Sequence, residues 1–537
     1  MPSRRAELAL PQLLLGAILV VLLVYPMLTV VIGAMGAGGG AFERLLLAPG
    51  AGRAWFNTLW VSVAASTLAV LAGGLAVAAT AGVRGPAAMA VRSGVILPLL
   101  VPPFASAVGW SQAYGPGGMT DAFFHLPAAA IIGPLGVVAA TAAELMPVAF
   151  LVLVSAAVTG DDSTAVMAAR ASGSTRWSAR LRVTLPLMRP AIAGAVALTF
   201  LGGVNNFTIP AVLGTPAGFE TLTSRIYNDF NFATTPSAFA EAQVLAASLA
   251  LVSLFILFPA ARLVGTAAYG AAPGAAMSPR RGSRVAIVGV SIYLLAAVAA
   301  PILALVLSAL TRAPGLLPVP RNWSAENFQQ ALAGPRFMPA LINSVTLGAT
   351  SATALVLLGL AVTAVERRRG GRVVAGVVTL GFAVPGSVVA VAILLAYGRW
   401  LGGSLLIILL AYMAKLWALA HRPLSGAARG LPPSVSLAAR ASGASGREVL
   451  RTIVAPLLMP AMATGWLLVF LFALHEVTLS SLLYGPTSQT LAVLVLNVEQ
   501  VGDVGSTAAL ACALTALVLV PAAALSVLAR RRTSPPK

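Results

Sequence analysis

The chain has 537 residues, of which 59% are hydrophobic and 9% charged, with a mean hydropathy of +0.93. A soluble domain carries about 25% charged residues, so this composition excludes a soluble globular protein, a disordered chain and a nucleic-acid binder. The net charge of +19 is therefore read loop by loop, as in a protein whose surface faces lipid.

A bilayer core takes roughly 20 apolar residues per helix. On that ruler the first half is predicted to span near residues 10–33, 57–81, 94–113, 133–158, 190–213 and 239–264. The second half is predicted to span near 285–310, 341–365, 373–398, 404–428, 461–484 and 506–529. The runs are continuous and rich in Leu and Ala, unlike the period-two alternation of a barrel. The first follows Arg4 and Arg5 as a signal peptide would, but its length predicts a retained helix. With the N-terminus inside, 26 of the 34 Lys and Arg residues fall on cytoplasmic tails, loops and helix ends. The expected molecule is thus an all-α polytopic membrane protein with both termini cytoplasmic.

Little chemistry is written in the side chains. Cys512 is the single cysteine, and His125, His421 and His475 are far apart, so no metal site is predicted. No catalytic residues are assigned. Lys415 precedes Leu416 and Lys537 ends the sequence, so no phosphate-binding loop of the form GxxxxGK[ST] is present. No cofactor is expected in this chain.

The two halves are copies. Ala168-Ala169-Arg170-Ala171-Ser172-Gly173 recurs as Ala438-Ala439-Arg440-Ala441-Ser442-Gly443, 270 residues later. The same offset carries Pro186 to Pro456, Pro190 to Pro460, and Phe207-Thr208-Ile209 to Val477-Thr478-Leu479. Upstream, Phe56-Asn57-Thr58 matches Ile342-Asn343-Ser344 at an offset of 286. Six spans per copy make the repeat parallel. The expected domains are 1–270 and 271–537, joined through the Gly, Ala and Pro-rich stretch 265–282.

The longest cytoplasmic loops, 159–189 and 429–460, contain this repeat. Each reads as short helices: one ending at Gly173, then a segment over 177–185 closed by Pro186, with counterparts in the second copy. An interfacial helix with Arg among headgroups is the simpler reading of one copy. Two copies at matched positions favour a paired docking element.

This spacing resembles the EAA loop in permease subunits of ATP-binding-cassette importers: E-A-A, three residues, Gly, nine residues, Ile, one residue, Leu-Pro. The matching positions are Ala168, Ala169, Gly173, Val183, Leu185 and Pro186, then Ala438, Ala439, Gly443, Ile453 and Pro456. The family's Glu is replaced by Met167 and Leu437, and Ala455 stands where its Leu would be. The resemblance implies two fused type I permease domains of six helices each, in a bacterial cytoplasmic (inner) membrane. It also implies two cytoplasmic ATPase subunits that bind the ATP, and one periplasmic or extracellular binding protein. Arg170 and Arg440 fall within the same coupling segment. The segments 213–227 and 474–496 are similar to those in fused permeases of ferric-iron importers. Thiamine permeases have nearly the same layout, and polyamine or phosphonate permeases are further alternatives.

Ionisable residues inside spans mark pathways. Lys415 and Glu476 are expected to form an ion pair beside the translocation path, with Asn206 opposite Glu476 and with Asn205 and His475 adjacent. A secondary transporter driven by an ion gradient is the competing class, and a membrane enzyme has no motif to support it.

Overall fold

In hydrocarbon every backbone N–H and C=O must bond within the protein, and a helix achieves this locally. The computed structural model describes residues 12–36, 50–80, 85–125, 131–160, 164–232, 236–268, 284–366 and 370–533. Among these, ten helices are long and apolar enough to cross a bilayer, and two sharply bent pairs bring the number to twelve if each pair is one span. The first half runs α1 Gln12–Met35, α2 Ala51–Thr80, α3 Gly85–Ile96, α4 Pro103–Tyr114, α5 Pro134–Gly160, α6 Thr164–Ala171, α7 Leu181–Asn205, α8 Leu222–Asn231 and α9 Pro236–Ala268. The second half runs α10 Val285–Leu310, α11 Phe337–Glu366, α12 Gly371–Ala383, α13 Gly386–Leu401, α14 Leu405–Gly430, α15 Pro433–Ala441, α16 Arg451–Leu474, α17 Thr478–Leu483, α18 Leu491–Gln500 and α19 Val504–Thr533. The molecule is all-α, with two parallel repeats in the same order. Most of the expected join, 269–282, lies outside the described residues.

Four spans differ from their expected form, in matched pairs. The spans expected at 94–113 and 373–398 are broken, bending by 104° and 108°. Pro102 and Pro103 interrupt the first and Pro385 the second, because proline lacks an N–H and its predecessor is pushed out of the helical region. The spans expected at 190–213 and 461–484 stop early, at Asn205 and Leu474. Each then starts a new turn capped by a side chain: Asn206 Oδ1 accepts from Ile209 N at 3.1 Å, and Glu476 Oε1 accepts from Leu479 N at 3.0 Å. Non-helical backbone at this depth is viable because these caps satisfy it.

The repeated Asn57-Thr58 and Asn343-Ser344 pairs explain how the following segments are held. Thr58 Oγ1 accepts from Leu222 N and Ser344 Oγ from Leu491 N, both at 2.8 Å. Asn57 Nδ2 donates to Glu220 O at 2.8 Å, and Asn343 Nδ2 to Gln489 O at 2.9 Å. In each half the start of the second span therefore pins the helix, α8 or α18, that returns toward the core. Those two helices meet across the halves, where Gln500 Nε2 donates to Tyr227 OH at 3.2 Å.

Within each half the long helices pack through small residues, as lipid offers no hydrophobic drive between helices. Ala65, Ala69 and Ala76 are fully buried, and a Cβ on Gly73 would come within 3.0 Å of Ala149. Ser66 Oγ and Thr199 Oγ1 bond at 2.7 Å where α2 meets α7. Between halves the first helices are exchanged. α1 packs on α13 and α10 on α4, each contact fixed by a tyrosine: Tyr397 OH to Val21 O at 2.6 Å and Tyr114 OH to Ala296 O at 2.5 Å.

Candidate functional site: paired coupling turns and a broken helix

α6 ends as the small-residue run and Gly173 require. Ser174 N donates to Ala169 O at 3.0 Å and Gly173 N to Arg170 O at 3.1 Å, with Gly173 at φ +86°. In the second half Ala444 N donates to Ala439 O at 3.1 Å with Gly443 at φ +88°. This is the Schellman termination, in which a left-handed residue lets two orphan carbonyls be satisfied. No protein atom lies within 4 Å of a Cβ built on either glycine, so the requirement is backbone conformation and not close packing. Ser172 Oγ and Ser442 Oγ bond back to Ala168 O and Ala438 O at 2.9 and 3.1 Å.

The chain restarts beyond the turn on a side-chain cap, Ser178 N to Thr175 Oγ1 at 3.2 Å and Glu448 N to Ser445 Oγ at 3.3 Å. Pro186 and Pro456 do not close a separate segment as expected. Wide π-type turns, Arg180–Thr184 and Leu450–Val454, open α7 and α16 and continue without a break into their α-helical part. A turn bonded i to i+5 tolerates the N–H that a following proline lacks. Each turn is therefore continuous with a membrane helix. Ala168, Ala438, Gly173, Gly443 and Arg170 are exposed, Ala169 and Ala439 are half-buried, and the Arg440 side chain lies outside the described set. Met167 and Leu437, at the positions of the family's Glu, are 60% and 63% exposed. The turns thus present two matched, partly apolar surfaces that stay exposed among the described residues.

The second cluster lies at the break between α12 and α13. A helix C-terminus leaves carbonyls unbonded and favours a cation. Lys415 Nζ, from α14, donates to Phe382 O at 2.7 Å and also to Val384 O, and sits 5.4 Å from the Phe382 ring centroid. Asn205 Nδ2, at the end of α7 in the other half, donates to Ala383 O at 3.3 Å. Lys415 and Glu476, expected to form an ion pair, attract one another at this break but make no direct contact. The carbonyls of the broken helix take the ammonium group, and the Glu476 carboxylate caps Leu479 instead. Tyr412 OH bonds Ser480 Oγ at 2.7 Å and Glu476 O at 3.3 Å, bracing that turn.

In the first half Asn206 Nδ2 donates to Glu144 Oε2 at 2.9 Å. Glu144 is a partner that sequence reasoning did not assign to Asn206; its place, one residue before the counterpart of Lys415, was the available signal. Asn205 Oδ1 and His475 Nδ1, at equivalent positions of the two copies, are buried and have no bonded partner among the described residues. His475 packs on Phe472 at 5.2 Å between ring centroids. Lys415, Glu476 and Asn205 are thus gathered around one break, while Asn206 faces Glu144.

The chain matches the family described as "Binding-protein-dependent transport system inner membrane component" over residues 74–264 and 355–534, and it belongs to that family. It is a transport component that works with a substrate-binding protein and an ATPase, and a multi-pass membrane protein. It is 27% identical to a probable ABC transporter permease protein, y4fN, of Sinorhizobium fredii, over 83% of this chain and 81% of that one. It is 30% identical to the putrescine transport system permease protein PotI of Escherichia coli K12, over 38% of this chain and 76% of that one. It is also 24% identical to the ferric transport system permease protein FbpB of Actinobacillus pleuropneumoniae, over 76% of this chain and 61% of that one.

Proposed function

We propose that this chain is a fused, two-domain permease of an ATP-driven importer in the bacterial cytoplasmic membrane, with both termini inside. Two cytoplasmic ATPase subunits bind the ATP and dock on the two coupling turns, and one external binding protein delivers the solute. The observation that carries this reading is the pair of exposed helix–glycine turns, alike in backbone angle and capping, each running without a break into a membrane helix. A push on either turn is transmitted as a rigid-body movement of α7 or α16, whose far ends carry Asn205, Asn206, His475 and Glu476. We assign those residues and Lys415 to the translocation path.

Ferric iron is the cargo suggested by segments 213–227 and 474–496, and FbpB supports it. PotI and a spermidine/putrescine permease, PotC, support a polyamine equally. The chemistry common to these readings is a cationic solute. Uptake of ferric ion, putrescine and thiamine, compared side by side in proteoliposomes holding the chain with its ATPase and binding protein, tests the assignment. Transport of one of these cations in an ATP-dependent manner is expected, and transport of none of them would overturn it.

A further inference from the structure

The second half carries a charged pocket that the coupling machinery does not use. It lies at the end of α11, the start of α12 and the last turns of α14, on the face of the molecule from which α15 departs. The cavity measures about 550 Å³ and is lined by Glu366, Arg372, Thr379, His421, Arg422 and Arg429 among others. Its single carboxylate is already committed. Glu366 accepts from Ser425 Oγ at 2.6 Å and Arg429 NH2 at 2.7 Å, with His421 Nε2 at 3.8 Å. His421 Nδ1 in turn meets Thr363 Oγ1 at 3.3 Å.

Arg372 and Arg422 have no bonded partner among the described residues, although both line the cavity. Two positive charges are therefore in excess: Arg422 on α14, which the Glu366 cluster ties to α11, and Arg372 at the start of α12. Guanidinium groups present paired N–H donors that match the oxygens of a phosphate. The remaining wall is apolar, formed by Ala375, Gly376 and Leu380, and Val373 beside it is 68% exposed. A charged end that continues into an apolar wall at the end of membrane helices suits a phosphate carrying an acyl chain. The lining charges are not repeated in the first half. At the offset of 270, His421, Arg422 and Arg429 correspond to Leu151, Val152 and Thr159. The pocket is thus not a by-product of the duplication.

We propose that this pocket binds the phosphate of an anionic phospholipid headgroup, held by Arg372 and Arg422, and that it makes the second half alone responsive to lipid. The test is thermal unfolding of the full chain in dodecyl maltoside, titrated separately with dihexanoyl phosphatidylglycerol, dihexanoyl phosphatidylcholine and inorganic phosphate. Phosphatidylglycerol is expected to raise the melting temperature saturably, and phosphatidylcholine to leave it unchanged. The Arg372→Gln, Arg422→Gln variant is expected to need at least about tenfold more phosphatidylglycerol for the same shift. Arg372→Gln alone, at an exposed position, serves if the double variant fails to fold, and should itself weaken the response. An equal response to phosphatidylcholine would overturn the proposal, as would variants with the wild-type midpoint. Inorganic phosphate acting at the same concentration as the lipid would show a free-anion site and overturn the lipid assignment.

Discussion

Tyr397 donates its hydroxyl to Val21 O at 2.6 Å, and Tyr114, 283 residues earlier in the other copy, donates to Ala296 O at 2.5 Å. Each acceptor lies in a π-type stretch, Val20–Val24 or Leu294–Ala299, where the regular i to i−4 ladder is interrupted. The tyrosines thus clasp the exchanged first helix of the opposite copy at the point where its carbonyls are free. This reciprocity makes the two halves one body and requires both copies for either to be complete.

Replacing these hydroxyls tests the clasp. Tyr114→Phe and Tyr397→Phe should each lower the thermal stability of the detergent-purified protein modestly, by about 0.6–1.5 kcal/mol, the range for one interhelical hydrogen bond. The two sites share no partner, so the double variant should show the sum of the single losses. A double variant no worse than either single one would mean that the clasp does not join the halves.

The coupling role proposed for the glycine turns predicts a separation of assembly from activity. A Cβ at Gly173 and Gly443 meets no neighbour but forces a left-handed backbone that β-branched residues resist, at a cost of roughly 1–3 kcal/mol per site. The Gly173→Val, Gly443→Val variant should reach the membrane in normal amounts and lose solute-stimulated ATP hydrolysis by the complex. Normal stimulation in that variant would remove the turns from the mechanism.

These turns were legible in the amino-acid sequence because every bond that shapes them is local, from Ala169 to Ser174 or from Ser445 to Glu448. Most apolar spans were legible for the same reason. The broken helix was not: Pro385 marks the place, but the groups that stabilise the break, Lys415 and Asn205, arrive from 31 and 178 residues away along the chain. Charge alone suggested pairing Lys415 with Glu476. The competing acceptors were backbone carbonyls, which no side-chain pattern reveals.

Charge reversal follows from that geometry. The Lys415→Glu, Glu476→Lys exchange should fail to restore folding, because a carboxylate would face the carbonyls of Phe382 and Val384 and an ammonium group cannot cap Leu479. Glu476→Gln keeps an acceptor for Leu479 N and should fold. Monodisperse elution of the exchanged variant on size-exclusion chromatography would argue for a direct pair.

Asp229 on α8 gives a pH signature. Burial pushes its carboxyl up to about 6, with Arg225 at 3.7 Å pulling back and Glu241 and Glu220 adding to the rise. A carboxyl raised in the fold holds its proton more tightly there than in the unfolded chain. Its contribution is present at low pH and is lost as pH rises from the ordinary carboxylate value through about 6. Asp229→Asn should therefore melt above the wild type at about pH 8, with the difference closing toward about pH 4. An Asp229→Asn variant that melts below the wild type at about pH 8 would show that the pairing with Arg225 dominates instead.

On the proposed function, this chain moves solute only when a separate ATPase acts on its glycine turns. The most direct measurement is uptake into proteoliposomes containing the chain alone, the chain with its ATPase subunits, or both with the binding protein. Each preparation is assayed with ATP and then with an imposed proton or sodium gradient. Uptake is predicted only in the complete preparation and only with ATP. Gradient-driven uptake by the chain alone would contradict the account.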